Sequence, residues 1–122
     1  WDISRKYATL TGDEAQSLRN LGTPLAEFCI DIQQSVTAFN AGVTQLPGFD
    51  LPDPIAMAVA LDPTIATVTR TLYVGVEAQS DLCRGQVVVD HLGLLKKSPN
   101  VQVVLKADKA RFVALLRKLI SR

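Results

Sequence analysis

Two aspartates beside prolines are the residues of this 122-residue chain best suited to chemistry. Asp53 stands between Pro52 and Pro54 and directly precedes an apolar run over residues 55–61. Because Pro54 fits the first position of a helix, Asp53 is predicted to be the N-cap, accepting hydrogen bonds from the first turn. A carboxylate aimed by a buried helix also suits a metal ion. The local sequence leaves both roles open, and capping is the commoner one.

Asp50 precedes Asp53 by three positions, so a pair of carboxylates is a further candidate. Two carboxylates make a weak calcium site by themselves, because Ca²⁺ takes about 6–8 oxygen ligands. The chain has no glycine-rich phosphate loop, no Cys or His pair at metal spacing and no Ser–His–Asp set. Its one histidine, His91, follows a strand-like run and is predicted to lie at the surface. These residues do not make up a whole active site.

The composition is that of an ordinary globular domain, with 48% hydrophobic and 20% charged residues. No apolar run approaches the roughly 20 residues that span a membrane, and the first residues do not resemble a signal peptide. Two cysteines, Cys29 and Cys83, are too few for a disulfide scaffold, which predicts reduced thiols in a cytoplasmic protein. The chain begins with Trp1 rather than Met, which suggests a fragment or a processed product.

Charge is divided unevenly along the chain. Residues 1–62 carry eight acidic and three basic side chains, whereas residues 63–122 carry four acidic and ten basic ones. A basic half is typical of some nucleic-acid binders. However, many of these cations fall near the last helix, where the helix dipole favours them, and aromatic side chains for base stacking are scarce. A solvated surface is therefore favoured over a nucleic-acid interface.

Capping signals divide the first half into helices. Thr11 and Glu14 have the spacing of a capping box, and Gly22 follows the predicted end of that helix. Thr23 and Pro24 begin the next helix. That helix is predicted to end at Gly42. Its apolar residues recur at helical spacing and predict a stripe on one side, opposite Glu27, Asp31 and Gln34, made of Leu25, Phe28, Cys29, Ile32, Val36 and Phe39. Residues 43–51 are predicted to form a loop. The run over residues 55–61 is apolar all round, which predicts a helix buried in a body larger than an ordinary two-layer domain.

The second half contains strands. Residues 68–78 and 86–90 predict an antiparallel hairpin whose turn is residues 81–85, and residues 101–105 predict a third strand. Asp108 is the predicted N-cap of a final helix with one apolar side, formed by Phe112, Val113, Leu116, Leu119 and Ile120. The fold class is α/β, without the repeated strand–helix alternation of a complete doubly wound sheet.

Three segments in order resemble one family. They are Leu21-Gly22-Thr23-Pro24 with the run L-P-D-P-I-A-M-A-V-A-L-D-P at residues 51–63, C-R-G-Q-V-V-V-D at 83–90, and N-V-Q-V at 100–103. Together they resemble the C-terminal part of the inosine–uridine-preferring nucleoside hydrolases, over nearly the whole chain. The first four residues are similar to the strand end and turn that precede this region. The resemblance implies a single segment, residues 1–122, of a Rossmann-like nucleoside hydrolase fold whose N-terminal portion is absent.

The family hydrolyses the N-glycosidic bond of ribonucleosides with a calcium ion and an aspartate general base on water. The resemblance implies that Asp53 is the calcium ligand supplied by the C-terminal half, and that the catalytic residues lie in an N-terminal D-x-D-x-G-x-D-D segment not found here. Pro52 and Arg5 stand where many relatives have His, so the leaving base must be activated by other residues or differ in kind. The loop after Phe39 matches a mobile flap, in which Phe39, Asn40 and Gln45 are candidates for base contact or for plain packing.

These arguments predict a part of a calcium-dependent ribonucleoside hydrolase of purine and pyrimidine salvage, inactive as an isolated chain. Its expected partners are the nucleoside, the N-terminal portion of the same protein and a second copy in a homo-oligomer, with no membrane. The alternatives are a family-like interaction module without catalysis and, with less support, a nucleic-acid-binding segment.

Overall fold

The computed structural model describes all residues, 1–122, as mixed helix and sheet. The elements in chain order are α1 (Asp2–Tyr7), β1 (Thr9–Leu10), α2 (Gly12–Arg19), α3 (Pro24–Asp31), α4 (Gln34–Phe39), β2 (Phe49–Asp50), α5 (Pro52–Leu61), β3 (Ala66–Val76), β4 (Val87–Asp90), β5 (Val101–Ala107) and α6 (Lys109–Ile120). A π-helical turn follows α4 at Asn40–Thr44, and a 3₁₀ turn precedes β3 at Pro63–Ile65. None of the helices has the length and apolarity needed to cross a membrane.

The chain divides into two compact units, of which the first comprises Trp1–Thr67 with Lys106–Arg122 and contains all the helices. The largest fully buried side chains are Phe112, Leu10, Leu18 and Ile65. They come from α6, β1, α2 and the 3₁₀ turn, so the core of this unit joins elements from both ends of the chain. Of the residues that α6 was predicted to turn toward the core, Phe112 and Ile120 are 1% and 4% exposed, whereas the prediction is wrong for Leu119, which is 40% exposed.

Three helices begin where their capping signals predicted. The Thr11 hydroxyl accepts from the Glu14 N–H while the Glu14 carboxylate accepts from the Thr11 N–H at 2.8 Å, a complete capping box. Thr23 caps α3, whose first residue is Pro24. Asp108 accepts from the Arg111 N–H at 3.0 Å at the start of α6. Each cap satisfies an N–H that the helix itself leaves free.

The helix predicted to run from Thr23 to Gly42 is wrong in two respects. It breaks between α3 and α4, and the chain passes through Gly42 in the π-helical turn, which ends at Thr44. The apolar stripe also faces outward: Phe28 and Phe39 are 62% and 57% exposed. The buried residue of α3 is the small Ala26, which allows the helix to lie close to its neighbours. The periodicity therefore identified residues that share one side of the helices, and in this chain most of that side is exposed.

A short antiparallel ladder joins the beginning of the chain to its middle. β1 pairs with β2 in the register Thr9 with Asp50 and Leu10 with Phe49. The sequence prediction placed residues 43–51 in a loop, although β2 lies within them. It likened residues 1–4 to a strand end and turn, whereas residues 2–4 belong to α1. Strands of two residues carry no detectable alternation, which explains why this pairing was missed.

The second unit, Val68–Leu105, contains most of a three-stranded sheet of order β4-β3-β5. β3 and β4 are antiparallel, with Tyr73 opposite Asp90 and Val76 opposite Val87, and residues 81–85 form the turn region between them. The predicted hairpin is therefore confirmed. β3 covers Ala66–Val76 rather than residues 68–78, and β5 continues to Ala107.

Candidate functional site

Asp53 lies in the first turn of α5, two positions further into the helix than predicted. The helix begins at Pro52, its N-cap is Leu51, and no side chain caps it. Pro52 takes the first helical position because its fixed φ suits a helix and it has no N–H to leave unsatisfied. The prediction that Asp53 is the N-cap is therefore wrong. Its carboxylate is exposed and stands at the positive end of the ten-residue helix.

The backbone that carries Asp53 is fixed from both sides. The Leu51 N–H donates to the Ala8 carbonyl at 3.1 Å, directly after the β1–β2 ladder. Within α5, Ile55 and Ala58 are each 5% exposed and anchor the helix to the core of the first unit. A carboxylate on such a support has a defined position, which is what a metal ligand or a substrate-binding group requires.

Asp50, the second candidate carboxylate, is half-buried and already has a partner. Its Oδ2 accepts from the Ser4 hydroxyl at 2.8 Å, and Ser4 is a buried residue of α1. This bond ties α1 to the strand that leads into α5. No group of three or more His, Cys, Asp or Glu side chains in the chain is arranged to hold a metal ion. Asp50 and Asp53 thus provide carboxylate oxygens on one short segment without completing a coordination shell.

Within this chain, α5 is buried on one side only. Met57 and Leu61 are 61% and 62% exposed. They border an apolar groove of about 160 Å³ between α5 and α6, lined by Pro54, Met57, Ala58, Leu61, Phe112, Leu115, Leu116 and Leu119. The helix is apolar all round, but the chain covers only one of its sides.

The three candidates for base contact differ in their surroundings. Asn40 is 6% exposed, its Nδ2 donates to the Gly48 carbonyl at 3.0 Å, and its Oδ1 accepts from the Thr44 hydroxyl at 3.1 Å. Its amide therefore closes the loop after α4, which favours the packing alternative for this residue. Phe39 and Gln45 are exposed, and Gln45 has a left-handed φ of 54°. Of the three candidates, only Phe39 and Gln45 have exposed side chains.

Gly48 is a residue of this loop whose importance the sequence did not reveal. Its φ is +124°, and a β-carbon there would lie 1.9 Å from the Leu10 carbonyl oxygen. Only glycine allows β1 and the segment before β2 to approach so closely. A Pro-Gly pair signals a turn in any sequence, so this signal could not show which backbone the glycine meets.

Asp62, at the other end of α5, has a structural role. Its Oδ1 accepts from the Thr64 hydroxyl at 2.6 Å and from the Thr64 N–H at 3.0 Å, and it caps the 3₁₀ turn. These two hydrogen bonds hold the pKa of the Asp62 carboxyl below its usual value. In the final D-P of the motif at residues 51–63, Asp62 is thus the cap of the 3₁₀ turn and Pro63 is the first residue of that turn.

A cavity of about 460 Å³ in the first unit lies beneath α4 and the π-helical turn. Arg19 and Asp31 at its wall form an ion pair at 2.8 Å, and that hydrogen bond lowers the pKa of Asp31. Neither Asp53 nor any of the three base-contact candidates lines this cavity. Because none of these candidate residues lines it, the cavity is not assigned as the catalytic site despite its size. Arg5 and His91 are also exposed.

Comparisons with known proteins give a consistent result. A family model described as inosine-uridine preferring nucleoside hydrolase matches residues 1–114. The pyrimidine-specific ribonucleoside hydrolase RihA of Shewanella woodyi is 28% identical over 124 aligned positions, which cover 98% of this chain and 38% of that protein. A probable ribonucleoside hydrolase of Dictyostelium discoideum is 37% identical over 76 positions, covering 60% of this chain and 22% of that protein.

Solved structures agree in fold. A purine-preferring ribonucleoside hydrolase from Gardnerella vaginalis superimposes with a TM-score of 0.75 at 29% identity, over 98% of this chain and 37% of that one. An inosine-guanosine nucleoside hydrolase superimposes with a TM-score of 0.81 at 24% identity, over 98% of this chain and 37% of that one, which supports the fold alone. The chain thus spans well under half the length of the relatives that it matches.

Proposed function

Since the chain belongs to the inosine-uridine preferring nucleoside hydrolase family, we propose that it is the C-terminal portion of an enzyme that hydrolyses the N-glycosidic bond of ribonucleosides to ribose and free base. The relatives named above are a pyrimidine-specific ribonucleoside hydrolase, a purine-preferring ribonucleoside hydrolase and an inosine-guanosine nucleoside hydrolase. Residues 1–122 would then be one segment of a larger nucleoside hydrolase domain. The activity proposed is that of the full-length parent.

The observation that carries this proposal is the exposed carboxylate of Asp53 at the start of α5. It caps nothing, yet a fixed backbone segment holds it in place. An anionic oxygen of this kind fits one position in the all-oxygen coordination that Ca²⁺ prefers. When bound, calcium supplies Lewis-acid activation of water. Asp53 would hold and orient the ion, and the remaining ligands and the general base would come from the N-terminal portion.

Pro52 directly before Asp53 limits the mechanism. Its side chain neither donates nor accepts a proton, so the departing base must receive its proton from elsewhere. Arg5 is exposed, and a guanidinium group is a poor general acid. We infer that the parent relies on residues outside this chain for leaving-group activation, or that it prefers a base that leaves with less assistance.

The N-terminal portion of the parent is the proposed partner of the exposed apolar side of α5. Met57 and Leu61 would lose contact with water there, and each fully buried side chain of this kind contributes about 1.5–3 kcal/mol. The exposed stripe on α3 and α4 is a surface for the same portion or for a second copy in the expected homo-oligomer. The two free thiols, Cys29 and Cys83, support a cytoplasmic enzyme of nucleoside salvage.

Asp53→Asn in the full-length parent tests the metal assignment. Asp13→Asn is a matched control, because Asp13 is also exposed and is also the second residue of its helix. Both variants lose one negative charge near a helix N-terminus, worth about 0.3–1 kcal/mol of stability. We expect only Asp53→Asn to weaken calcium binding in a titration and to abolish turnover of inosine and uridine. A folded Asp53→Asn parent with unchanged calcium affinity would refute the assignment.

The isolated 122-residue chain is expected to release no base from inosine or uridine. It offers one suitable metal ligand and no general base, and a single carboxylate does not replace the missing groups. The measurement is chromatography of free hypoxanthine or uracil after prolonged incubation with calcium. Base release that scales with the concentration of the pure chain would contradict this expectation.

A further inference from the structure

A second cavity, of about 240 Å³, lies in the unit Val68–Leu105. The pairing of Tyr73 with Asp90 sets the end of β4 beside β3, and the loop after β4 completes the wall. Three side chains that carry or can acquire a positive charge line this cavity: Arg70, His91 and Lys97. Residues 91–100 are all exposed, so the cavity is open to solutes.

The cations of this cavity have no carboxylate partner. The Lys97 ammonium donates to the Tyr73 hydroxyl at 3.0 Å and stands 4.8 Å from the centre of the Tyr73 ring. Arg70 makes one long hydrogen bond, 3.5 Å, from its Nη2 to the His91 carbonyl. None of the ion pairs in the chain includes either of them. Lys97 is therefore held in place by an aromatic side chain, and most N–H groups of both cations remain free.

The one carboxylate in the cavity wall, Asp90, is used for another purpose. Its two oxygens accept from the backbone N–H groups of Leu95 and Leu94, both at 2.9 Å. These bonds lower the pKa of Asp90, which stays ionised and fixes the loop that carries Lys97. Arg70 and Lys97 together outweigh this single negative charge, so the cavity keeps a net positive charge.

We propose that this cavity binds a phosphate group, either as inorganic phosphate or as the terminal group of a small phosphate monoester. The Arg70 guanidinium can contact two phosphate oxygens at once, and the Lys97 ammonium supplies a point charge with two free N–H groups. Two cationic side chains in the wall of one cavity match the several oxygens and the double charge of phosphate better than a single carboxylate. The site shares no residue with the Asp53 segment, so it does not depend on the proposed hydrolase function.

The test is a titration of the ¹⁵N-labelled 122-residue chain, observed through the backbone amides of residues 91–97. Inorganic phosphate, ribose 5-phosphate and uncharged ribose are added separately, with chloride adjusted to constant ionic strength so that general screening does not change. We expect saturable shifts with one or both phosphate compounds and none with ribose. Saturation by inorganic phosphate alone would identify the free ion as the ligand, and tighter binding of ribose 5-phosphate would identify a monoester.

Arg70→Gln and Lys97→Gln are the informative variants, and Arg84→Gln is their control. Arg84 belongs to the same unit, is exposed and lies outside the cavity beside Asp81. Loss of one charged donor should raise the dissociation constant about tenfold in the first two variants and leave it unchanged in the third. Because both cations are exposed, the dispersed amide spectrum should persist. Absence of saturation in the wild type, or equal loss in Arg84→Gln, would overturn the proposal.

Discussion

Replacement of Gly48 by Ala should destabilise the first unit much more than an ordinary surface substitution. A β-carbon at this position would lie 1.9 Å from the Leu10 carbonyl oxygen, whereas real β-carbons stay at least 3.0 Å from such atoms. The backbone must therefore move by about 1 Å, because the atom that the β-carbon would meet is a main-chain carbonyl oxygen and not the end of a flexible side chain. The φ of +124° adds its own strain for any residue with a β-carbon.

The cost has two parts. The unfavourable φ contributes about 1–3 kcal/mol. Displacement of the strand also weakens hydrogen bonds in the β1–β2 ladder and the bond from Asn40 to the Gly48 carbonyl, at about 0.5–1.5 kcal/mol each. We expect a loss of about 3 kcal/mol in the free energy of unfolding. The ladder lies directly before Asp53, so the same substitution in the parent should also weaken calcium binding.

Urea denaturation of the 122-residue chain, followed by far-ultraviolet circular dichroism, measures this loss. Gly42→Ala is the control: a β-carbon at Gly42 meets nothing within 4 Å, and its φ is not positive. That substitution should be neutral or should stabilise the chain by about 0.5 kcal/mol, because alanine restricts the unfolded state more than glycine. If the free energy of unfolding of Gly48→Ala lay within about 0.5 kcal/mol of the wild-type value, the close approach of β1 and the loop would be refuted.

Two further predictions concern helix caps and acid. Asp108→Ala should lower the free energy of unfolding by about 1 kcal/mol in urea while Asp108→Asn should be nearly neutral, because Asn caps as well as Asp; equal losses would contradict the capping role. Hydrogen bonds from Arg19, Thr64 and the Leu95 N–H hold the pKa values of Asp31, Asp62 and Asp90, respectively, below the ordinary 3.8. The unfolded chain then binds more protons than the folded one near this pH, so stability should be complete at about pH 5 and should fall progressively towards about pH 3. Urea titrations that gave the same stability at both ends of this range would show that these bonds contribute nothing.

The elements that the sequence predicted correctly depend on residues close together in the chain. Thr11 and Glu14, Thr23 and Pro24, and Asp108 with the Arg111 N–H all complete their caps within three residues. The hairpin likewise needs only two adjacent strands and the turn between them. Interactions of this range have the same form in any protein, so their residue types are sufficient to identify them.

The features that the sequence did not predict depend on pairs far apart. Ser4 and Asp50 are 46 positions apart, and the β1–β2 ladder joins residues separated by a similar distance. Nothing in either segment specifies the other, since a serine and an aspartate have many possible partners. Asn40 shows the same difficulty at shorter range, because a loop amide was equally suited to a base and to the Gly48 carbonyl. The sequence therefore identified the candidate residues of the site, but it did not predict the hydrogen bonds that hold their backbone in place.

The exposed apolar sides of α3, α4 and α5 have one physical explanation. Hydrophobic periodicity shows which residues share a side of a helix, but it does not say which layer covers that side. The stripe on α3 and α4 and the far side of α5 are apolar, as the pattern indicated, yet Phe28, Phe39, Met57 and Leu61 are each more than half exposed. Large exposed apolar patches are uncommon on monomeric proteins and mark contact surfaces. Relatives of this chain are more than twice its length, and the chain covers 38% of RihA from Shewanella woodyi. In the proposed parent, these surfaces would receive the cover that the pattern predicts, so the apolar residues of α5 would help to hold Asp53 at the junction between the two portions of the enzyme.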